Sequence, residues 1–341
     1  MYIKETVVRD DALARTRASW AVKLADGRTT PADAADIPKS EDGSLTVLTV
    51  GQRPVRELTH KRSEAKTSWK EAPLQLSPAS ATSKPRGAQV KHEADGSTTI
   101  FVPFAQSPSS RHWELEATLT FTAPELVLRK ASAANFAAGL TLLSGRGESV
   151  ELSYQPSNES VAVTRHLALS GKLIHKEPQV GSLRLWDVLQ PGPKGKNKEK
   201  PSFKTESLRI RAFLDGSALE IFINDHFVLS TRAYYWYPDS TQMGFFYRLP
   251  VGIDVAPTST STSTSSAAFG VAYSDVRVWE GLFEAWPSRS KDPAELGAYD
   301  VPMGFPEPEP NPNPILYNDT EPIPSGREGD RWRFQTFPGG P

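Results

Sequence analysis

The chain has 341 residues with 39 basic and 40 acidic side chains, a net charge of −1. No overall field therefore draws it to a polyanion or an anionic membrane, and neither nucleic acid nor membrane is an expected partner. The absence of cysteine excludes disulfides and thiolate metal sites, and no cofactor is expected. Hydrophobic content of 38%, with 29 prolines and 23 glycines, points to a modest β core with long loops. No segment approaches the ~20 apolar residues of a membrane span. MYIKETVVRDD at the start carries no apolar run long enough for a signal peptide.

In chain order, the first sixty residues mix short apolar runs with Pro and Asp and are expected to be poorly anchored on their own. Trp69 to Lys91 is rich in Ser, Ala and Pro and reads as surface loop. Thr98 to Phe104 is the first clear strand. Trp113, Leu115, Ala117, Leu119 and Phe121 then alternate with Glu114, Glu116, Thr118 and Thr120, the period of a strand with one buried face. Gly139 to Leu143, Ser149 to Tyr154, Val161 to His166 and Leu183 to Leu189 add four more, at the spacing of an all-β antiparallel sandwich, jelly-roll-like in type. Pro191 to Pro201, PGPKGKNKEKP, has no apolar residue to bury and reads as a solvated insertion.

Leu208 to Leu229 reads as a meander. Leu208, Ile210, Ala212 and Leu214 alternate with Arg209, Arg211 and Phe213, and Asp215-Gly216 supplies a turn. Leu219, Ile221 and Ile223 line one face of the return strand. Asn224-Asp225 makes a second turn, because both residues tolerate left-handed backbone, and Phe227 starts a third strand. A second insertion near 250–268 contains the low-complexity run TSTSTSTSS from Thr258 to Ser266, and Phe269 to Trp279 is the closing strand. From Pro306 to Pro314 the run PEPEPNPNP cannot form ladders, and residues 287–341 are expected to be a Pro-rich, disordered tail.

Asp215, Ser217, Glu220, Phe222, Asn224, Asp225, Thr231, Arg232, Tyr237 and Pro238 resemble the hallmark of the C-terminal β-sandwich of glycoside hydrolase family 32, the invertases, inulinases, levanases and fructosyltransferases. Upstream, Gln52-Arg53-Pro54-Val55-Arg56-Glu57-Leu58 is similar to the family's segment joining catalytic propeller and sandwich, and Ser19-Trp20 fits the end of the catalytic domain in fungal members. The resemblance implies that residues 1–62 are the end of a propeller plus the interdomain linker, and that 63–286 are the sandwich. It implies a role in hydrolysis or transfer of β-fructofuranosyl units of sucrose or fructans, and extracellular location.

The family's three catalytic acids sit in motifs of the form Asn-Asp-Pro, Arg-Asp-Pro and Glu-Cys, and none occurs in this sequence. Retaining hydrolysis needs two carboxyl groups about 5 Å apart, so no catalytic residue is assigned. The chain reads as a truncated or degenerate member, expected to be inactive alone, with the catalytic propeller as its missing partner and self-association through the surface that partner leaves. The alternative is a stand-alone carbohydrate-binding or structural docking module.

Asp215 and Glu220 are expected to diverge and to serve the fold, Asp215 by capping a turn and Glu220 by pairing with Arg209, Arg211 or Arg232. The six histidines are scattered without metal-ligand spacing. Tyr234, Tyr235, Trp236 and Tyr237 form the candidate sugar-binding cluster, since aromatic rings stack on sugars; the competing expectation is that these rings pack into the core or on the propeller. Asn158 and Asn318 stand in N-glycosylation sequons that matter only in a secretory context.

Overall fold

A computed structural model describes residues 2–9, 21–24, 26–31, 44–54, 62, 65–81, 83–122, 135–166, 177–190, 202–233, 237, 239–249 and 269–282. All of them lie in the first of two compact units, Met1–Ala285; the second is Trp286–Pro341. The Pro-rich tail, both insertions and Asn318 therefore lie outside the described residues.

The described strands are β1 (Tyr2–Arg9), β2 (Ala21–Lys23), β3 (Thr29–Pro31), β4 (Ser44–Gly51), β5 (Thr67–Lys70), β6 (Leu74–Leu76), β7 (Gln89–His92), β8 (Thr98–Pro103), β9 (His112–Phe121) and β10 (Ala137–Gly145). They continue with β11 (Glu148–Gln155), β12 (Ser160–His166), β13 (Gln179–Ser182), β14 (Asp187–Leu189), β15 (Phe203–Thr205), β16 (Leu208–Asp215), β17 (Ala218–Ile223), β18 (Phe227–Arg232), β19 (Gly244–Leu249) and β20 (Val271–Glu280). All pairings are antiparallel, and the fold is an all-β sandwich. Its front sheet runs β13-β12-β11-β10-β19-β8-β7; its back sheet runs β18-β17-β16-β9-β20-β5, with β6 also on β20.

Alternation explains the core. On β9 and β16, Trp113, Leu115, Ala117, Leu119, Leu208, Ile210, Ala212 and Leu214 turn inward and meet Leu140, Leu152, Val163 and Phe245 of the front sheet in one apolar cluster. Successive strand side chains take opposite faces, so the intervening Arg209, Arg211, Glu116 and Thr118 line the outer face of the back sheet. The two sheets are also joined at one edge by a buried cation. Arg165 of β12 donates through Nε to the Arg232 carbonyl at 2.7 Å and through Nη2 to Thr231 Oγ1, both on β18.

The described residues among the first fifty are not poorly anchored. β1 and β4 pair over eight residues, from Tyr2↔Gly51 to Arg9↔Ser44. The hairpin β2–β3 extends them on one side and β14–β15 on the other, giving a six-stranded N-terminal sheet. Val8, Val22, Leu45 and Val47 bury Trp186, with Val188 packed alongside. Arg9 holds Asp187 at 2.7 Å, and Asp187 also takes the Thr205 hydroxyl. Strand partners for them come from Asp187–Leu189 and Phe203–Thr205, from the far side of the boundary expected at residue 62.

Three further expectations need correction. Trp69 to Lys91 is not loop throughout, since it holds β6, the start of β7 and the end of β5. β5 and β6 are short edge strands that share β20 in succession, and edge positions tolerate the local prolines that obscured them. Leu183 to Leu189 is not one strand. Residues 183–186 cross from the front sheet to the N-terminal sheet, and Leu183, Leu185 and Trp186 are buried in the crossing, so the apolar pattern reports burial without a ladder. The third is the first hairpin loop, which is Gly216-Ser217, because Asp215 pairs with Ala218; Gly216 takes the positive φ of 59°.

β19 was not anticipated. It is buried on both faces, so GFFYRL lacks alternation. Phe246 lies opposite Gly139 of β10. A Cβ on Gly139 would overlap the Leu152 carbonyl oxygen, and backbone cannot yield as a flexible side chain would. Gly139→Ala is expected to cost about 3 kcal/mol through overpacking, read as a lowered midpoint in urea unfolding with an unchanged slope.

Candidate functional site

The turn between β17 and β18 holds two of the hallmark residues, Asn224 and Asp225. Asn224 and Asp225 have φ of 52° and 58°, a left-handed backbone that Asn and Asp accept more readily than other non-glycine residues. The Asn224 side chain is buried, and its Oδ1 takes the Arg209 N–H at 2.7 Å while its own N–H donates to the Arg209 carbonyl. The loop is thus bound to the start of β16 by both sides of one residue.

The same turn clasps the N-terminal sheet. Gln52 N–H donates to the Asp225 carbonyl at 2.7 Å, Arg53 pairs with the Asp225 carboxylate at 3.1 Å, and Lys4 Nζ donates to the Asn224 carbonyl at 2.7 Å. Lys4 also stands 3.1 Å from His226 Nδ1 and 3.6 Å from Glu206. The two sequence motifs, Gln52-Arg53 and Asn224-Asp225, therefore meet in space. Arg62 is anchored too. It lies over the Trp279 ring at 4.1 Å and donates through Nε to Glu114 at 2.7 Å. Glu114 is fully buried and also takes Arg211 at 3.0 Å, with Glu116 binding both arginines.

The other hallmark residues connect strands. The register puts Asp215 and Glu220 on the same face of the back sheet, so they do not diverge by face as expected. Each is occupied differently. Asp215 Oδ1 meets His112 Nδ1 on β9 at 2.7 Å. Glu220 lies between Phe213 and Ser230 across the strands, and no ion pair joins it to the expected cations: Arg211 goes to Glu114, Arg209 approaches Asp225 at 4.0 Å, and Arg232 donates to Ser217 Oγ at 3.1 Å. Phe222 packs edge-on against Phe213, ring centroids 6.0 Å apart.

Of the aromatic cluster, Tyr234, Tyr235 and Trp236 lie outside the described residues, as does Pro238. Tyr237 is half-buried, stacked under Arg146 at 5.1 Å, with its N–H on Glu148. Asn158 is exposed on a 3-10 turn, hydrogen-bonded to Gln155. Among the described residues no cluster of His, Asp and Glu could hold a metal.

The outer face of the back sheet carries a groove of about 250 Å³, lined by Phe222, Asn224 and Asp225 of the hallmark together with Arg209, Arg211 and Glu116. Asp275 completes it from β20, at a bulge where the register with β9 shifts between Ser274 and Arg277. Sequence reasoning had identified the three hallmark residues but not the groove, which needs the register of four strands. Lys4, Glu206 and Glu114 were missed because their partners lie far away in the chain.

Burial, reinforced by the Lys4 charge, pushes His226 down to about 4. Burial also lowers Lys4 and raises Glu206, each opposed by the attraction between them. For His226 the unfolded chain takes up a proton as pH falls through 6.5, whereas the folded chain does so only near 4, so stability is lost across that window. The size is on the order of 3 kcal/mol. Glu206 has the opposite sign, as does His166, raised by its hydrogen bond to Glu151; both favour the fold at lower pH. Thermal melts across that pH window should show His226→Gln losing distinctly less stability on acidification than the unsubstituted chain. Equal losses would remove His226 from the account.

Residues 61–250, more than half the chain, match the family described as Glycosyl hydrolases family 32 C terminal. No match was found among curated proteins. Among solved structures, Aspergillus kawachii β-fructofuranosidase complexed with glycerol is similar at 27% identity and a TM-score of 0.55, over 84% of this chain and 38% of that one. The fructosyltransferase of A. japonicus is similar at 27% identity and a TM-score of 0.57, over 84% of this chain and 36% of that one. The chain thus spans well under half the length of these enzymes. Its sandwich, its hallmark turn and this match agree: the chain belongs to glycoside hydrolase family 32, as a C-terminal β-sandwich domain.

Proposed function

We propose that the chain is the ancillary sandwich of a β-fructofuranosidase-type system acting on sucrose or fructans, with hydrolysis or transfer carried out by a propeller that packs on the outer face of its N-terminal sheet. In this reading residues 1–62 are propeller end and linker, 63–286 the sandwich and 287–341 a tail. The observation that carries it is the exposed apolar pair on the outer face of β1 and β4, a face that also carries Glu5, paired with Lys23, and Thr46. Ile3 and Val50 are cross-strand partners, yet they are 64% and 46% exposed. Val7 and Leu48 share that face by register. Adjacent bulky apolar residues left in water on a sheet face are the signature of a contact surface. Family membership and likeness to a β-fructofuranosidase and a fructosyltransferase supply the substrate class.

The division of labour follows from the sequence, which lacks all three acid-bearing motifs. The purified chain is expected to release no fructose from sucrose, inulin or levan above a no-protein control; release would overturn the assignment of catalysis to another domain. Analytical ultracentrifugation at micromolar concentration is expected to show self-association. The double substitution Ile3→Thr and Val50→Thr should abolish it while moving stability by only about 0.5 kcal/mol, as for other exposed sites. A monodisperse unsubstituted monomer would count against a vacated docking face and favour a free-standing module.

A further inference from the structure

We propose that the groove over the back sheet binds a single neutral sugar ring, held by Arg209, Asn224 and Asp275 above Phe222. Only the choice of probe sugar rests on the function proposed above; the site itself rests on four features of the groove.

The first is size. At about 250 Å³ the groove falls below the roughly 300 to 1,000 Å³ of pockets for drug-sized ligands, leaving room for one ring. The second is charge. Glu116, Asp225 and Asp275 line it beside Arg209 and Arg211, and Arg62 and Arg53 pair with Glu116 and Asp225, so neither sign of charge stands alone in the groove. A phosphate would face three carboxylates, while a bare cation would face two guanidinium groups. A neutral polyol meets neither penalty and uses both kinds of group, since carboxylates accept from hydroxyls and guanidinium groups donate to them.

The third feature is unused hydrogen-bonding capacity. Asn224 Nδ2 is buried without a hydrogen-bond partner among the described residues, although Oδ1 of the same amide accepts the Arg209 N–H. A buried donor left unsatisfied costs about 1 to 3 kcal/mol. A ligand hydroxyl, directly or through one bridging water, would remove that cost. The fourth is the bulge on β20. Asp275 sits in it with φ of 54°; bulges recur beside binding sites because they re-aim a side chain. Among the described residues its carboxylate makes only a local contact with Ser274, at 3.2 Å, and it can accept from a ligand. Phe222 supplies the apolar surface that the C–H face of a sugar requires.

Amide NMR of the full chain titrated with fructose, and separately with sucrose, glucose and inorganic phosphate, tests the site. The expected result is saturable millimolar binding of at least one sugar, with the largest shifts at Arg209, Phe222, Asn224 and Asp275 and none from phosphate. Arg209→Ala removes an exposed side chain and leaves its backbone bonds to Asn224 in place; it is expected to weaken binding about tenfold at unchanged melting temperature. Asp275→Asn, which retains tolerance of positive φ, should also weaken it. No saturable shift, sugar shifts that survive both substitutions, or phosphate competing for the same amides would overturn the proposal. Failure here leaves the fructose-release and self-association results untouched, and failure of either of those leaves sugar binding in the groove intact.

Discussion

Two consecutive residues held at positive φ, Asn224 and Asp225, are the constraint on which the arrangement of the molecule depends. A left-handed pair reverses the chain between β17 and β18 and turns two carbonyl groups toward the N-terminal sheet. The Asn224 carbonyl receives Lys4 and the Asp225 carbonyl receives Gln52. Side chains alone would not specify this contact, because the acceptors are backbone atoms whose direction only the turn sets. The buried Asn224 amide then fixes the turn on β16, so the N-terminal sheet, the turn and Gln52-Arg53 are positioned by one short segment.

Buried charges repeat that logic elsewhere. Glu114 unites Arg62 and Arg211, Arg165 joins the two sandwich sheets at their edge, Asp187 holds Arg9, and Glu280 accepts the Ser109 and Ser110 N–H groups. A buried ion pair gains little over a well-packed apolar pair, but removal of one partner strands the other at a cost of about 3 to 5 kcal/mol. Such groups therefore select one arrangement more than they stabilise it. In a fold whose strands are all apolar on one side, many registers would bury similar area. Charges whose partners come into reach in only one register distinguish among them.

The strands of the sandwich were legible wherever one face meets solvent. β9 and β16 alternate cleanly because their outer faces carry Arg, Glu and Thr. β19 was illegible for the converse reason, since both its faces are covered. The edge strands β5 and β6 were hidden by proline and by their brevity. Of the hallmark residues, their presence could be read but not their partners: Asp215 with His112 and Asn224 with Arg209 are contacts across 103 and 15 residues. The N-terminal sheet was misjudged because its sequence shows only its own strands, whereas β14 and β15 reach it from nearly two hundred residues away. Nothing local in Asp187–Leu189 states which sheet it joins.

That last pairing changes what a module means in this chain. β14 and β15 are encoded within the sandwich but belong in space to the sheet before it, and Met1–Ala285 forms one compact unit. Sequence exchange between relatives at the linker would separate Arg9 from Asp187 and Val8 from Trp186, leaving two strands with open edges. The heritable unit is therefore larger than the segment matched by the family. Recombination that preserves the fold must carry the first fifty residues together with the sandwich, and substitutions on either side of that seam are expected to co-evolve as if they belonged to one domain.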